Sequence, residues 1–324
     1  MQPRDPNNFS HPHYYSSFYY NKNQKTPIEP KPPKKHRGMK LFLLIILIIL
    51  IGIIVNDFSA KSKAGTNVAH AIVSIVKKSP KTSTNTDSIS AASLDNMSQT
   101  INSIISQNSG INMSVNLIDL SNDQTEHYGV DQTFQAASTA KIITAEYFLH
   151  QVEQGSESLT ETINGSSAEY ELQQMIVVSD DNAWAALDNK LGYNNLQNYA
   201  DTSLGISDYQ AYNNSLSSTD IALALKGLWQ GKLLNSTDTQ LLLSYLKIAN
   251  YREYIVPAVP SDDIIYHKIG LYQDYVNDAA IISHGDQAFV IVIFTNGNGT
   301  YNWPERAATM QQITKAALKA YFNQ

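Results

Sequence analysis

Phe134-Gln135-Ala136-Ala137-Ser138-Thr139-Ala140-Lys141 is the stretch on which both the fold and the chemistry of this chain turn. A serine hydroxyl is a weak nucleophile at neutral pH and needs a neighbour that takes its proton as the new bond forms. Lys141 stands three residues after Ser138, and on a helix residues three apart share a face. Ile142, Ile143, Ala145, Phe148 and Leu149 then follow as an apolar stripe at helical spacing, which predicts that Ser138 lies near a helix start. There the unpaired N–H groups and the positive dipole end favour a developing negative charge. Ser-x-x-Lys is a cheap pattern in a serine-rich chain, and it recurs at Ser74/Lys77 and Ser244/Lys247 without any companion motif.

On either side of this stretch the apolar pattern predicts one α+β domain from about residue 90 to 324. Leu94, Met97, Ile101, Ile104 and Ile105 follow helical spacing, with Gly110 suited to the residue just past the helix end. Ile111, Met113, Val115 and Leu117 alternate as a strand, and after the turn Ser121-Asn-Asp123 the segment Thr125–Gly129 returns as its hairpin partner. From Ser138 to about Asn250 the chain reads as helices and loops. Ile264–Leu271, Tyr275–Ser283 and Ala288–Thr295 read as three strands, with His284-Gly-Asp-Gln287 closing the second hairpin. Pro304 opens a last helix in which Ala307, Met310, Ile313, Ala317 and Tyr321 form an inward stripe. Strands at both ends and helices between them predict an antiparallel sheet built from the two terminal regions, flanked by helices, with a helical lobe inserted.

The region before the domain is of a different kind. Residues 1–38, rich in Pro, Asn and Tyr, lack apolar periodicity and read as a disordered cytoplasmic tail. Leu41 to Val55 is apolar throughout apart from Gly52 and follows Lys31, Lys34, Lys35, Arg37 and Lys40. Residues 39–58 therefore read as a single transmembrane anchor, with the basic cluster keeping the N-terminus inside and placing the rest outside the cell. The competing reading is a signal-peptide core with cleavage after Ser62-Lys-Ala64. Residues 59–89 read as a juxtamembrane segment and linker.

Composition narrows the chemistry. The absence of cysteine excludes disulfides and thiolate metal sites, and the eight histidines show no ligand spacing. No phosphate-cradling loop and no G-x-S-x-G elbow occurs, so neither a metal nor a cofactor is expected. Charge is segregated: residues 1–81 hold 13 of the 23 Lys and Arg with three acids, whereas Ser88 onward carries 10 basic against 25 acidic residues. So acidic a domain is unsuited to nucleic acid, whose binding depends on basic surface.

Two further motifs complete the set. Met175-Ile-Val-Val-Ser179-Asp180-Asp181-Asn182 lies in the helical middle, and His267-Lys268-Ile269-Gly270 lies in the strand before the last hairpins. With Ser138-Thr-Ala-Lys141 they resemble, in order, the three signatures of the penicillin-recognising serine hydrolases, the class A β-lactamases and D-alanyl-D-alanine peptidases. The resemblance spans residues 90 to 324 and includes the Asn277-Asp-Ala-Ala strand and the closing helix. It implies that Ser138 forms an acyl-enzyme, that Lys141 takes or relays its proton, that Ser179 passes a proton to the leaving nitrogen, and that Lys268 supplies positive charge beside it. The charge of Lys268 would also lower the pKa of Lys141 by repulsion. The N–H groups of Ser138 and Leu271 would form the oxyanion hole. Asp181, Asn182, Ile269, Gly270 and Leu271 would line the substrate site, and the substrate would be a β-lactam or a peptidoglycan-related acyl compound.

Three departures from that family pattern bear on activity. Ile269 stands where the family has a Thr or Ser whose hydroxyl binds a substrate carboxylate. Asp181 stands where it has an Asn that donates to the substrate carbonyl, and an ionised aspartate only accepts. Between Asn182 and Lys268 the only glutamate is Glu253, outside the loop that carries the family's deacylating glutamate, and Asp208 is the nearest carboxylate to that place. The expectation is a membrane-anchored, extracellular serine hydrolase of a Gram-positive cell wall with slow β-lactam deacylation. The rival expectation is a catalytically impaired β-lactamase-like binding module.

Overall fold

The computed structural model describes residues 89–324. The tail, the anchor and nearly all of the juxtamembrane segment expected from the sequence lie outside the described residues. Among the described residues no helix is long and apolar enough to cross a membrane.

Ser90 opens the domain by accepting a hydrogen bond from Ser93 N, which satisfies one of the N–H groups a helix start leaves free. The helix that follows, α1 (Ala91–Gln107), buries Met97, Ile101 and Ile104 on one stripe. It ends on Asn108 and not at Gly110: the Asn108 side chain donates to Ile104 O at 2.8 Å, closing the last turn without a left-handed glycine. Next come β1 (Asn112–Asp119), β2 (Thr125–Gly129) and β3 (Phe134–Gln135), then a 3₁₀ turn over Ala137–Ala140 that leads into α2 (Lys141–Glu153). The lobe continues with β4 (Thr162–Ile163), β5 (Ser166–Ser167), α3 (Ala168–Gln173), a π-helical turn (Gln174–Val178), α4 (Asp181–Leu191) and α5 (Tyr193–Tyr199). After β6 (Ser215–Leu216), α6 (Ser218–Trp229) and α7 (Ser236–Lys247), the chain returns to the sheet as β7 (Ile264–Tyr272), β8 (Tyr275–His284) and β9 (Gln287–Asn296), and closes with α8 (Trp303–Phe322).

The main sheet is antiparallel throughout, in the order β2-β1-β9-β8-β7. As the sequence predicts, its strands come from both ends of the domain, and β1 pairs with β9 from Asn112↔Asn296 to Asp119↔Phe289. Two apolar layers sandwich it. Beneath, α1 and α8 bury Met113, Val115, Leu117, Ile291, Ile293, Met310 and Ile313, with the Phe289 and Tyr321 rings stacked 4.5 Å apart. Above, the lobe buries Phe134, Ile142, Phe148, Ala279, Val292 and Phe294.

The alternation in β1 does not mark a solvated face. Ser114 and Asn116 are buried against the start of α6, where they bond Ser218 Oγ at 2.8 Å and Thr219 Oγ1 at 2.9 Å. Side chains of β7 alternate between the layers as a strand requires. Ile265 and Ile269 join the lower core, while Tyr266 packs with the upper one and Lys268 points up towards Ser179.

Candidate active site

The Ser138 turn is held from three sides. Asn277 of β8 donates its amide to Gln135 O at 2.9 Å and Ala136 O at 3.2 Å. Asn214, just before β6, accepts from Ala136 N through its backbone carbonyl at 2.9 Å and donates its side-chain amide to Ala137 O at 3.2 Å. Thr139 Oγ1 donates to Ala136 O at 2.7 Å. These contacts pin Ala137 at φ 50, a left-handed conformation that an alanine holds only where its surroundings over-determine it. β7 is an edge strand of the sheet and runs against this turn at Gly270. That nearness sets the Gly270 backbone beside Ser138 N.

Ser179 also has a left-handed backbone, at φ 61, where the π-helical turn ends and α4 begins. Asp180 caps α4 by accepting from Asn182 N at 2.7 Å and Ala183 N at 3.0 Å. The reversal at Ser179 aims its hydroxyl between two buried lysines: Lys268 Nζ is 2.8 Å from Ser179 Oγ and Lys141 Nζ 3.3 Å. Lys141 also donates to Ser179 O at 2.8 Å and to Asp181 Oδ1 at 2.7 Å. Its ammonium therefore faces Ser179 and Asp181, whereas Ser138 Oγ makes no hydrogen bond among the described residues. The Trp184 ring lies 4.9 Å from Lys141 Nζ.

Burial and neighbouring charge set the electrostatics. Lys141 is lowered from the ordinary lysine range by burial, with Asp181, Asp180 and Asp188 opposing the shift. Lys268 is lowered further, first by complete burial and then by the charge of Lys141. The repulsion between the lysines expected from the sequence thus falls on Lys268, because Lys141 has a carboxylate partner and Lys268 has none within bonding distance. Asp188, accepting from Thr144 Oγ1 at 2.8 Å, is pushed up to about 7 by burial.

Ser138, Lys141, Ser179, Asp181, Lys268 and Gly270 are therefore brought together, with Leu271 next along β7. Two expected substrate residues are not. Ile269, only 3 % exposed, is packed in the lower core because it follows Lys268 and a strand alternates faces, so its side chain does not line the cleft. Asn182 is exposed on the first turn of α4 and does not take the place of Asp181. Asp208 and Glu253 are both exposed, and the Glu253 backbone is tied to Gln311 of α8, far along the chain from the Ser138 turn. The residue of the 205–217 segment that meets this turn is Asn214, an amide.

Sequence reasoning missed the network behind Lys141, in which Trp184 Nε1 donates to Thr144 Oγ1 at 3.0 Å and Thr144 to Asp188. Its signal was helical spacing: Thr144 follows Lys141 by three, and Trp184 and Asp188 follow Asp181 by three and seven. Asn277 lies in a strand whose pattern gives it no role, and Asn214 lies in no motif.

Comparison with known proteins places the domain. No curated protein matches the chain. Among solved structures, a single-residue mutant of PBP-A in its acyl-enzyme complex with penicillin-G superimposes with a TM-score of 0.65 at 20% identity, covering 71% of this chain and 98% of that one. A beta lactamase from Xanthomonas campestris gives 0.65 at 20% identity over 70% and 98%, and a beta-lactamase from Chitinophaga pinensis 0.64 at 22% over 69% and 99%. At such identities these likenesses establish the fold. The family model described as "Beta-lactamase enzyme family" matches residues 96–321, nearly the whole domain and all three motifs around the Ser138 turn, and the chain belongs to that family.

Proposed function

We propose that this protein is a serine hydrolase that forms an acyl-enzyme through Ser138. The observation that carries this reading is the Ser179 hydroxyl held between two buried amines, at 2.8 Å from Lys268 and 3.3 Å from Lys141. Such a hydroxyl is a proton relay in place before substrate arrives. The Ser138 oxygen bonds to the substrate carbonyl carbon, its proton enters the relay, and the oxyanion is met by the N–H groups of Ser138 and Leu271. The proton then leaves on the expelled group, and water hydrolyses the ester.

Slow hydrolysis of β-lactam esters is part of the proposal. The carboxylates acting on Lys141 (Asp180, Asp181, Asp188) belong to α4 or its cap, and the side facing Ala137 O is occupied by the amide of Asn214. The apolar run from Leu41 to Val55 behind its basic cluster supports an anchored protein with the domain outside the cell. A peptidoglycan-related acyl compound is then the substrate class within reach.

The test is the intact mass of the full chain with and without penicillin G, beside Ser138→Ala. A persistent penicilloyl adduct on the wild type that is absent from the variant is the expected result. Rapid product release without adduct would refute slow deacylation. No adduct with either penicillin G or a fluorophosphonate would refute the acyl-enzyme itself and leave a binding module.

A further inference from the structure

The Ser179 hydroxyl has two amine neighbours, and both cannot hold an extra proton cheaply in a buried site. This chain's own departure at Asp181 breaks the tie. Lys141 Nζ has three acceptors, namely Asp181 Oδ1 at 2.7 Å, Ser179 O at 2.8 Å and Ser179 Oγ at 3.3 Å, which match the three N–H bonds of an ammonium. Lys268 Nζ has Ser179 Oγ at 2.8 Å and its neighbour's carbonyl, Ile269 O, at 3.3 Å, with no carboxylate in contact. The charged groups bearing on Lys141 are Asp181, Asp180 and Asp188; those bearing on Lys268 are Lys141, Asp278 and Asp181. Asp278, one strand away, is engaged by His267 Nδ1 at 3.2 Å and Ile255 N at 3.2 Å.

From this geometry we infer that Asp181 fixes the resting proton on Lys141 and leaves Lys268 as the neutral amine, so that Lys268, acting through Ser179, is the base of the acylation step. The inference deepens the acyl-enzyme reading and rests on it for its kinetic consequence alone. In the step, Ser179 gives its proton to Lys268 Nζ and accepts the Ser138 proton as Ser138 Oγ bonds to the carbonyl carbon. The carbonyl π pair moves to oxygen. On collapse that pair returns, the bond to the leaving group breaks, and the leaving group takes the proton of Ser179, which recovers its own from Lys268. Lys141 stays charged throughout and acts as a cation beside the reacting atoms.

Arginine keeps a positive charge and cannot act as a base, so it separates the two roles. The full chain, labelled with ¹⁵N at lysine Nζ, is expected to show one neutral-amine resonance at pH 7. The resonance should vanish in Lys268→Arg, persist in Lys141→Arg and move to the Lys141 nitrogen in Asp181→Asn. Loss of the resonance in Lys141→Arg, or its absence from the wild type, would overturn the assignment. If an arginine variant does not fold, Asp181→Asn decides alone, and an unmoved resonance overturns it. Fluorophosphonate labelling of Ser138 should fall by about 10²–10⁴-fold in Lys268→Arg and by less in Lys141→Arg. A neutral Lys268 beside a Ser138 that never labels would sink the acyl-enzyme reading while leaving the proton assignment standing.

Discussion

Gly270 lies so close to Ala136 that a β-carbon on it would overlap the Ala136 carbonyl oxygen and stand 3.1 Å from Ser138 N. The edge strand and the nucleophile turn therefore meet backbone to backbone. Gly270→Ala is expected to cost about 1–3 kcal/mol of stability by overpacking. The displaced turn should lower Ser138 labelling by about 10²-fold, since a shift of an ångström at reacting groups has that effect. Thermal unfolding and fluorophosphonate labelling of the full chain check the two effects.

Ile269→Thr restores the residue type of the family's third motif, yet here that side chain is packed in the lower core. The hydroxyl would enter an apolar layer without a partner, at a cost of about 1–3 kcal/mol. Penicillin acylation should not improve. Faster acylation in this variant would show that the strand presents position 269 to the cleft.

Asp188 ties protonation to stability. Its folded pKa, about 7, lies above the unfolded aspartate value near 3.8, so the native state binds the extra proton. Stability is then full below about pH 4 and is lost as pH rises towards about 7. Asp188→Asn keeps an acceptor for Thr144 and removes the titration. It should match the wild type at pH 4 and exceed it by a few kcal/mol at pH 8 in denaturant melts.

Lys268 has the opposite sign. Burial depresses its pKa, so the unfolded chain binds a proton that the native state gives up, and stability climbs with pH up to the unfolded lysine value near 10.5. Lys268→Met fills the same space without that penalty. At pH 7 it should raise Tm by about 2–4 °C for each kcal/mol recovered while abolishing Ser138 labelling.

Asn214→Gly tests whether the strain at Ala137 serves the site. Asn214 has φ 50, which glycine adopts freely, so the backbone is retained and the bond from its amide to Ala137 O is removed. Ala137 should relax. Labelling of Ser138 is expected to fall at least tenfold, about 1.4 kcal/mol, with little change in melting temperature.

The fold was readable wherever the pattern was local. His284-Gly-Asp-Gln287 between two apolar runs specified a hairpin, and the spacing of Met310, Ile313, Ala317 and Tyr321 specified α8. Ser138, Lys141, Ser179 and Lys268 were readable because each sits in a short motif. The faces of β7 were not, since a strand covered on both sides has no polar alternation to show which way Ile269 points. The supports of the Ser138 turn, Asn214 and Asn277, lie 77 and 141 residues from the backbone they hold, and no local pattern announces such pairs. The two-residue ladders β3–β6 and β4–β5 are too short to carry any period.

The pairing of β1 with β9 also governs how the molecule is made. Asn112 meets Asn296 across the centre of the sheet, so the first strand of the sheet to be synthesised waits for the last. Until then Met113, Val115 and Leu117 lack their β9 neighbour and the cover of α8, and the ribosome must deliver the whole lobe before they are sheltered. A topology so rich in distant contacts folds slowly. An emerging chain of this kind is exposed to aggregation during that interval, and truncation of α8 should leave aggregated product where loss of a lobe loop would not.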